Sequence, residues 1–205
     1  DRGLPCRTMS SSTMTIVTAG LAPTATLPDV TVDDRVFLQQ MYDAGLGDYR
    51  DIVIGTHPYG WGNAPDETCC NNVPDKGWDD DPHFFFIDNI GAYREIMNRN
   101  GHNDINMWWT EFGWATWEGL GGEPPDVWVS YNTAKEQADY AIRALEIGLS
   151  TPGVGVMILW NLNFATPTRV EQGIEQTAYS IINPALPVRE RPLYWALAEV
   201  NGMFD

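Results

Sequence analysis

Ile105-Asn-Met-Trp-Trp-Thr-Glu-Phe-Gly-Trp114 is an apolar run that carries one carboxylate, Glu111, to its end, between aromatic residues and beside a glycine. It reads as a buried strand, Ile105–Thr110, with Glu111 the first residue past it. A lone acid in an aromatic surround suits sugar chemistry. Indole faces stack on pyranose rings, and a carboxylate can attack an anomeric carbon. The plain alternative is a core strand whose first exposed residue is acidic.

Three more runs share the pattern: Met14–Ala19, Asp51–Thr56 and Val154–Trp160. Their Ile, Val and Met are continuous rather than alternating, which predicts parallel strands buried on both faces. Each is followed by a loop rich in Gly, Pro and aromatics, then by a predicted helix: Asp33–Ala44, His83–Arg99, Tyr131–Leu149 and Pro192–Val200. In the third helix Ala134, Ala138, Ala141, Leu145 and Leu149 form an apolar stripe, with Ser130 available as N-cap. Asn100-Gly101 reads as a C-cap. Strand–helix alternation four times over means parallel α/β, either a doubly wound open sheet or part of a (β/α)8 barrel. No glycine-rich phosphate turn follows any strand; Gly20 leads into Leu-Ala-Pro-Thr. Polar and aromatic residues at strand ends do recur: His57 and Tyr59, then Glu111, then Trp160 and Asn161. Convergence of strand ends on one face is how a barrel builds its site.

The 205 residues suffice for one domain or two small ones. A net charge of −16 argues against nucleic-acid partners and disfavours polyanionic substrates, leaving neutral carbohydrate open. No apolar run reaches the roughly 20 residues of a spanning helix, so no membrane partner is expected. Nine Trp, eight Tyr and seven Phe exceed what an average core needs. Several lie in predicted loops (Trp61, Trp78, Trp114, Trp117, Trp128), which points to a stacking surface. Cys6, Cys69 and Cys70 show no metal-ligand spacing, and no metal or cofactor is expected. A vicinal Cys69–Cys70 disulfide, free thiols, or one pairing with Cys6 all fit. The Cys-Cys loop leans towards an oxidising compartment, extracellular or periplasmic, although the chain opens without a secretory signal.

At these strand ends the chain resembles clan A of the glycoside hydrolases, the (β/α)8 cellulases, mannanases and β-xylosidases. That clan carries His-x-Tyr at the end of strand 6, a nucleophilic Glu at the end of strand 7 and a Trp at the end of strand 8. Here they read His57-Pro58-Tyr59, Glu111 within Trp-Thr-Glu-Phe-Gly, and Trp160 within Leu-Trp-Asn. The resemblance implies an α/β fold of four consecutive βα units, half of a TIM barrel, matching strands 5 to 8 over residues 13–205. Residues 1–12 form an atypical leader. Strands 1 to 4 are unmatched, and with them the Asn-Glu pair that supplies the clan's acid/base.

By this resemblance the chain is a retaining β-glycosidase-like protein acting on a neutral oligo- or polysaccharide. Glu111 is the nucleophile, with Tyr59 and His57 orienting it or binding a sugar hydroxyl. Trp160 floors the subsite. Trp61, Trp109 and Trp114 are further stacking candidates, and Asn161 and Asn163 could bind hydroxyls. In retaining enzymes a second carboxyl stands about 5–5.5 Å from the nucleophile. Here only loop acids are on offer: Asp66, Glu67 and Asp79–Asp81 after the second strand, Glu118, Glu123, Glu171 and Glu175 after the third and fourth. Of these Glu67 and Glu171 are the ones to test. The alternative is a non-catalytic carbohydrate-binding or structural half-barrel. Four strands leave raw edges and a wet inner face, so a two-fold homodimer pairing strand 8 of each copy with strand 5 of the other is expected.

Overall fold

The computed structural model describes residues 14–183 and 187–202; the predicted leader and Cys6 lie outside them. The described chain is an α/β protein with one parallel sheet of four strands in the order β1-β2-β3-β4. The strands are β1 (Ile16–Val17), β2 (Ile52–Thr56), β3 (Met107–Phe112) and β4 (Val154–Leu159). Five α-helices are set among and after them: α1 (Asp34–Asp43), α2 (Phe86–Arg99), α3 (Ala134–Ser150), the short α4 (Pro167–Glu171) and α5 (Pro192–Val200).

The helix starts follow local chemistry. Asp33 caps α1, its carboxylate accepting from the Arg35 and Val36 amides. α3 begins at Ala134, three residues later than the apolar pattern predicts, because its cap is Thr133 rather than Ser130. Thr133 and Glu136 form a reciprocal capping box. Predicted His83–Arg99 likewise shortens to Phe86, with Pro82–Phe84 as a separate 3-10 turn. The α3 stripe also rotates: Leu149 is 80% exposed, whereas Gln137, Ala141, Ala144 and Gly148 are buried.

The core lies between the helices and the sheet. Ile54, Met107, Trp109 and Phe112 from the strands meet Leu38, Phe86, Ile90, Tyr93, Met97 and Ile147 from the helices. A second cluster sits among the loops that follow the strands, built on Trp117, Trp128, Val129, Ala165 and Tyr179. Buried polar side chains wire these loops together. Asn132 donates to the Trp61 and Ala115 carbonyls, and Gln137 to those of Trp114 and Ala178. Arg191, 6% exposed, donates to the carbonyls of Ser180, Thr116 and Glu118.

The expectation of strands buried on both faces holds for β2 from Val53 to Thr56 and fails for β4. Met157 and Leu159 pack on the core, while Val156 and Ile158, on the opposite face, are 43% and 47% exposed. No described strand covers that face.

Candidate active site

Glu111 reaches its place through an irregularity in β3. Strict alternation from Met107 and Trp109, both fully buried in the core, would send residue 111 the same way. The pairing with β4 prevents this. Trp109 lies opposite Met157 and Phe112 opposite Leu159, so three steps on β3 face two on β4. The extra residue shifts the phase, so that Phe112 fills the core and the part-exposed Glu111 turns to the other side. Two glycines make room for the arrangement. A Cβ at Gly20 would overlap Thr110 Oγ1 and the His57 ring, and one at Gly113 would stand 2.7 Å from the Trp160 carbonyl oxygen.

Tyr59 follows β2 and is held beside Glu111 by an isolated bridge to Gly113. Its hydroxyl donates to Glu111 Oε2 at 2.9 Å. Burial, followed by the Tyr179 hydroxyl and the Glu111 carboxylate, pushes the Tyr59 phenol far above its ordinary range, so it stays protonated and remains a donor. His57 Nδ1 lies 3.5 Å from the same Glu111 oxygen. Burial lowers the His57 imidazole below its usual value, with Glu111 pulling the other way. The carboxylate therefore has a neutral phenol as its hydrogen-bond donor and a histidine biased towards neutrality as its neighbour.

Glu111 and Tyr59, but not His57, open onto a cleft of about 250 Å³ walled by Tyr59, Trp61, Trp128, Trp160 and Tyr179, with Glu111 and Glu175 as its acids. Trp61 and Trp78 stack with planes 8° apart and centroids 6.3 Å apart. Both hold left-handed backbone, at φ 47° and 58°, a conformation costing a non-glycine residue on the order of 1 kcal/mol. Asn63, fully buried, donates to the Trp78 and Phe84 carbonyls and fixes this loop.

Of the predicted sugar-binding residues, Trp160 and Trp61 wall the cleft. Trp109 and Trp114 do not. Trp109 is fully buried against Phe86 and Phe112. Trp114 is 1% exposed, with its Nε1 donating to the Asn63 carbonyl. Neither has a face free for stacking. Asn161 is 5% exposed and consumed by its own loop: Nδ2 donates to the Gln176 carbonyl, and Oδ1 accepts from Ser180 Oγ and the Phe164 amide. Asn163 is exposed and outside the cleft.

Among the loop acids, Glu67 accepts from the Ala64 amide and Glu118 from the Ala134 amide. Glu171 is exposed, and neither it nor Glu67 lines the cleft. The acid that does is Glu175, whose pKa is raised by burial and by the nearby Asp126. Trp128, one of the loop tryptophans expected to form a stacking surface, and Tyr179 also join the wall. Trp128 carries a signal as a loop tryptophan; Tyr179 carries none.

Cys69 and Cys70 form a vicinal disulfide, which excludes pairing of either with Cys6. One group among the described residues has metal-ligand types together: His83 Nε2 lies 3.1 Å from Asp33 Oδ2 and 3.4 Å from Asp34 Oδ1. These side chains are committed to the fold. Asp33 caps α1, Asp34 accepts from the Thr24 amide and the Tyr93 hydroxyl, and His83 Nδ1 pairs with Asp81. None of them lines the cleft. No helix among the described residues is long and apolar enough to cross a membrane.

Fold and site together define an α/β protein whose four parallel strands correspond to part of a TIM-barrel-like domain. Among solved structures it is similar to a family 39 glycoside hydrolase from the gut symbiont Bacteroides cellulosilyticus WH2. The match has a TM-score of 0.53 and 21% identity, over 80% of this chain and 29% of that one. A β-glucuronidase from Ruminococcus gnavus aligns at a TM-score of 0.42 and 16% identity, over 72% of this chain and 22% of that one. The chain thus spans under a third of either neighbour. No family model matches the sequence, and no curated protein matches it either.

Proposed function

We propose that this chain carries the nucleophile side of a retaining β-glycosidase acting on neutral oligo- or polysaccharides. The observation that carries the reading is the hydrogen bond from the Tyr59 hydroxyl to Glu111 Oε2, 2.9 Å long, at the foot of an aromatic cleft. A phenol that stays protonated keeps one carboxylate oxygen oriented and the other free to attack. Trp160 and Trp61 offer faces for a pyranose ring. In the first step a Glu111 oxygen bonds to the anomeric carbon as the glycosidic C–O bond breaks, and the leaving oxygen takes a proton from an acid. In the second, water attacks the same carbon, gives up its proton and frees Glu111. The fold-level likeness to a family 39 glycoside hydrolase supports this class of reaction, and the disulfide fits an oxidising, extracellular or periplasmic setting.

An aryl β-glycoside with an activated leaving group tests the reading, because such a group departs without protonation. Wild-type turnover that disappears in Glu111→Ala is the expected result. Equal rates in the two proteins would remove Glu111 from the chemistry. Oligosaccharide binding by calorimetry with no product released would instead favour a binding module.

We also propose that the bare face of β4 is covered by a second copy. Val156 and Ile158 would then pack across a two-fold axis, with β4 of each copy meeting β1 of the other.

A further inference from the structure

Glu175 has no assigned part in the chemistry above, yet it shares the cleft with Glu111. It opens the 3-10 turn Glu175–Tyr179 after α4. That turn is fixed in place: Asn161 Nδ2 donates to the Gln176 carbonyl at 2.8 Å, and Thr177 Oγ1 to the Ile174 carbonyl at 2.7 Å. Among the described residues no hydrogen bond or ion pair engages the Glu175 carboxylate. The backbone that carries it is thus fixed, and its acceptor sites are left open.

No lysine or arginine lines this cleft. Arg169, from the neighbouring α4, lies over the Phe164 ring at 4.8 Å. Burial biases His57 towards its neutral form. The hydroxyls of Tyr59 and Tyr179 both feel the charges of Glu111 and Glu175, so the two acids act on one small volume. A ligand there meets two carboxylates, aromatic faces and no cation.

We propose that Glu175 is a specificity-determining residue: its carboxylate holds hydroxyls of a neutral glycone and turns away glycosides that carry a carboxylate of their own. The inference rests on the glycosidase reading, since it places a sugar in the cleft beside Glu111. An ionised carboxylate only accepts hydrogen bonds and can take two at once, which matches adjacent sugar hydroxyls. A uronate offers it a like charge at short range, and no lysine or arginine lines the cleft to pair with that charge.

The experiment compares the neutral aryl β-glycoside that turns over fastest with the same glycoside oxidised to the uronide at its terminal carbon. Wild type, Glu175→Gln and Glu175→Lys are assayed, and binding of the two matching free sugars is measured by calorimetry. Wild type is expected to favour the neutral glycoside by about 100-fold or more in kcat/KM. Glu175→Gln should narrow that ratio about tenfold, mainly through the KM of the uronide, and Glu175→Lys should narrow it further. A ratio unchanged in both variants overturns the proposal. So does a variant that loses only substrates with poor leaving groups and is rescued by azide, which would make Glu175 a proton donor instead. If wild type turns over neither glycoside, the Glu111 reading fails while calorimetry still decides on Glu175. Tighter binding of the neutral sugar that weakens in Glu175→Gln supports the proposal, and equal binding of the two sugars refutes it.

Discussion

Tyr59 is the residue on which the behaviour of Glu111 depends most directly. Replacing it with Phe removes one hydrogen bond to a charged group and little else. A loss of about 1.5–3 kcal/mol, or roughly 10- to 150-fold in kcat/KM, is expected on activated aryl glycosides, with the unfolding midpoint nearly unchanged. His57 gives a pH signature. Its folded pKa is lowered, so the folded chain binds fewer protons there than the unfolded chain. Its contribution is complete above about pH 6.5 and is lost as pH falls through the folded pKa. Urea midpoints should therefore drop between about pH 7.5 and pH 5, and less so in His57→Gln; an equal drop in both proteins would contradict this sign. At this scale the sequence was legible in the order of the strand-end residues. His57, Tyr59, Glu111 and Trp160 are brought together as the motif order implies. It was not legible where orientation decides: Trp61 and Trp109 are both tryptophans near strand ends, yet one walls the cleft and the other fills the core.

Among the elements, the irregular stretch of β3 and the loops behind it set the site. The predicted strand Ile105–Thr110 is displaced to Met107–Phe112. A hydropathy run marks where a strand is buried but not where its ladder slips. The slip opposite Met157 and Leu159 follows from pairing between distant segments. Thr133-x-x-Glu136, by contrast, is a local signal readable from the chain itself. Arg191 was invisible beforehand, because nothing local distinguishes a surface arginine from one buried under three carbonyls. Burial lowers its guanidinium to about 10, still charged at neutral pH. Two of those bonds tie the segment leading into α5 to the turn after β3, and the third ties it to Ser180 behind the Glu175–Tyr179 turn. Arg191→Ala is expected to cost about 2–4 kcal/mol in urea unfolding and to loosen the cleft wall carried by Tyr179. A loss within experimental error would mean that the loops hold without it.

For the whole molecule, β1 and β4 are the outer strands of the described sheet, and Val156 and Ile158 stand exposed on β4. Light scattering should return twice the chain mass at micromolar concentration, and Val156→Glu combined with Ile158→Glu should shift it to the single chain mass. A stable wild-type monomer would exclude the second copy as cover. Strand order and helix alternation made the four βα units readable in outline, since hydrophobic periodicity is a local property. What covers the open face is a relation between surfaces and leaves no such periodic trace. The central claim is that Glu111 is a nucleophile, and covalent trapping tests it most directly. A 2-deoxy-2-fluoro aryl β-glycoside with an activated leaving group should leave one glycosyl adduct per chain, found by mass spectrometry on the peptide that contains Glu111 and absent in Glu111→Gln. A chain that stays unmodified, or an adduct on any other carboxylate, would contradict it.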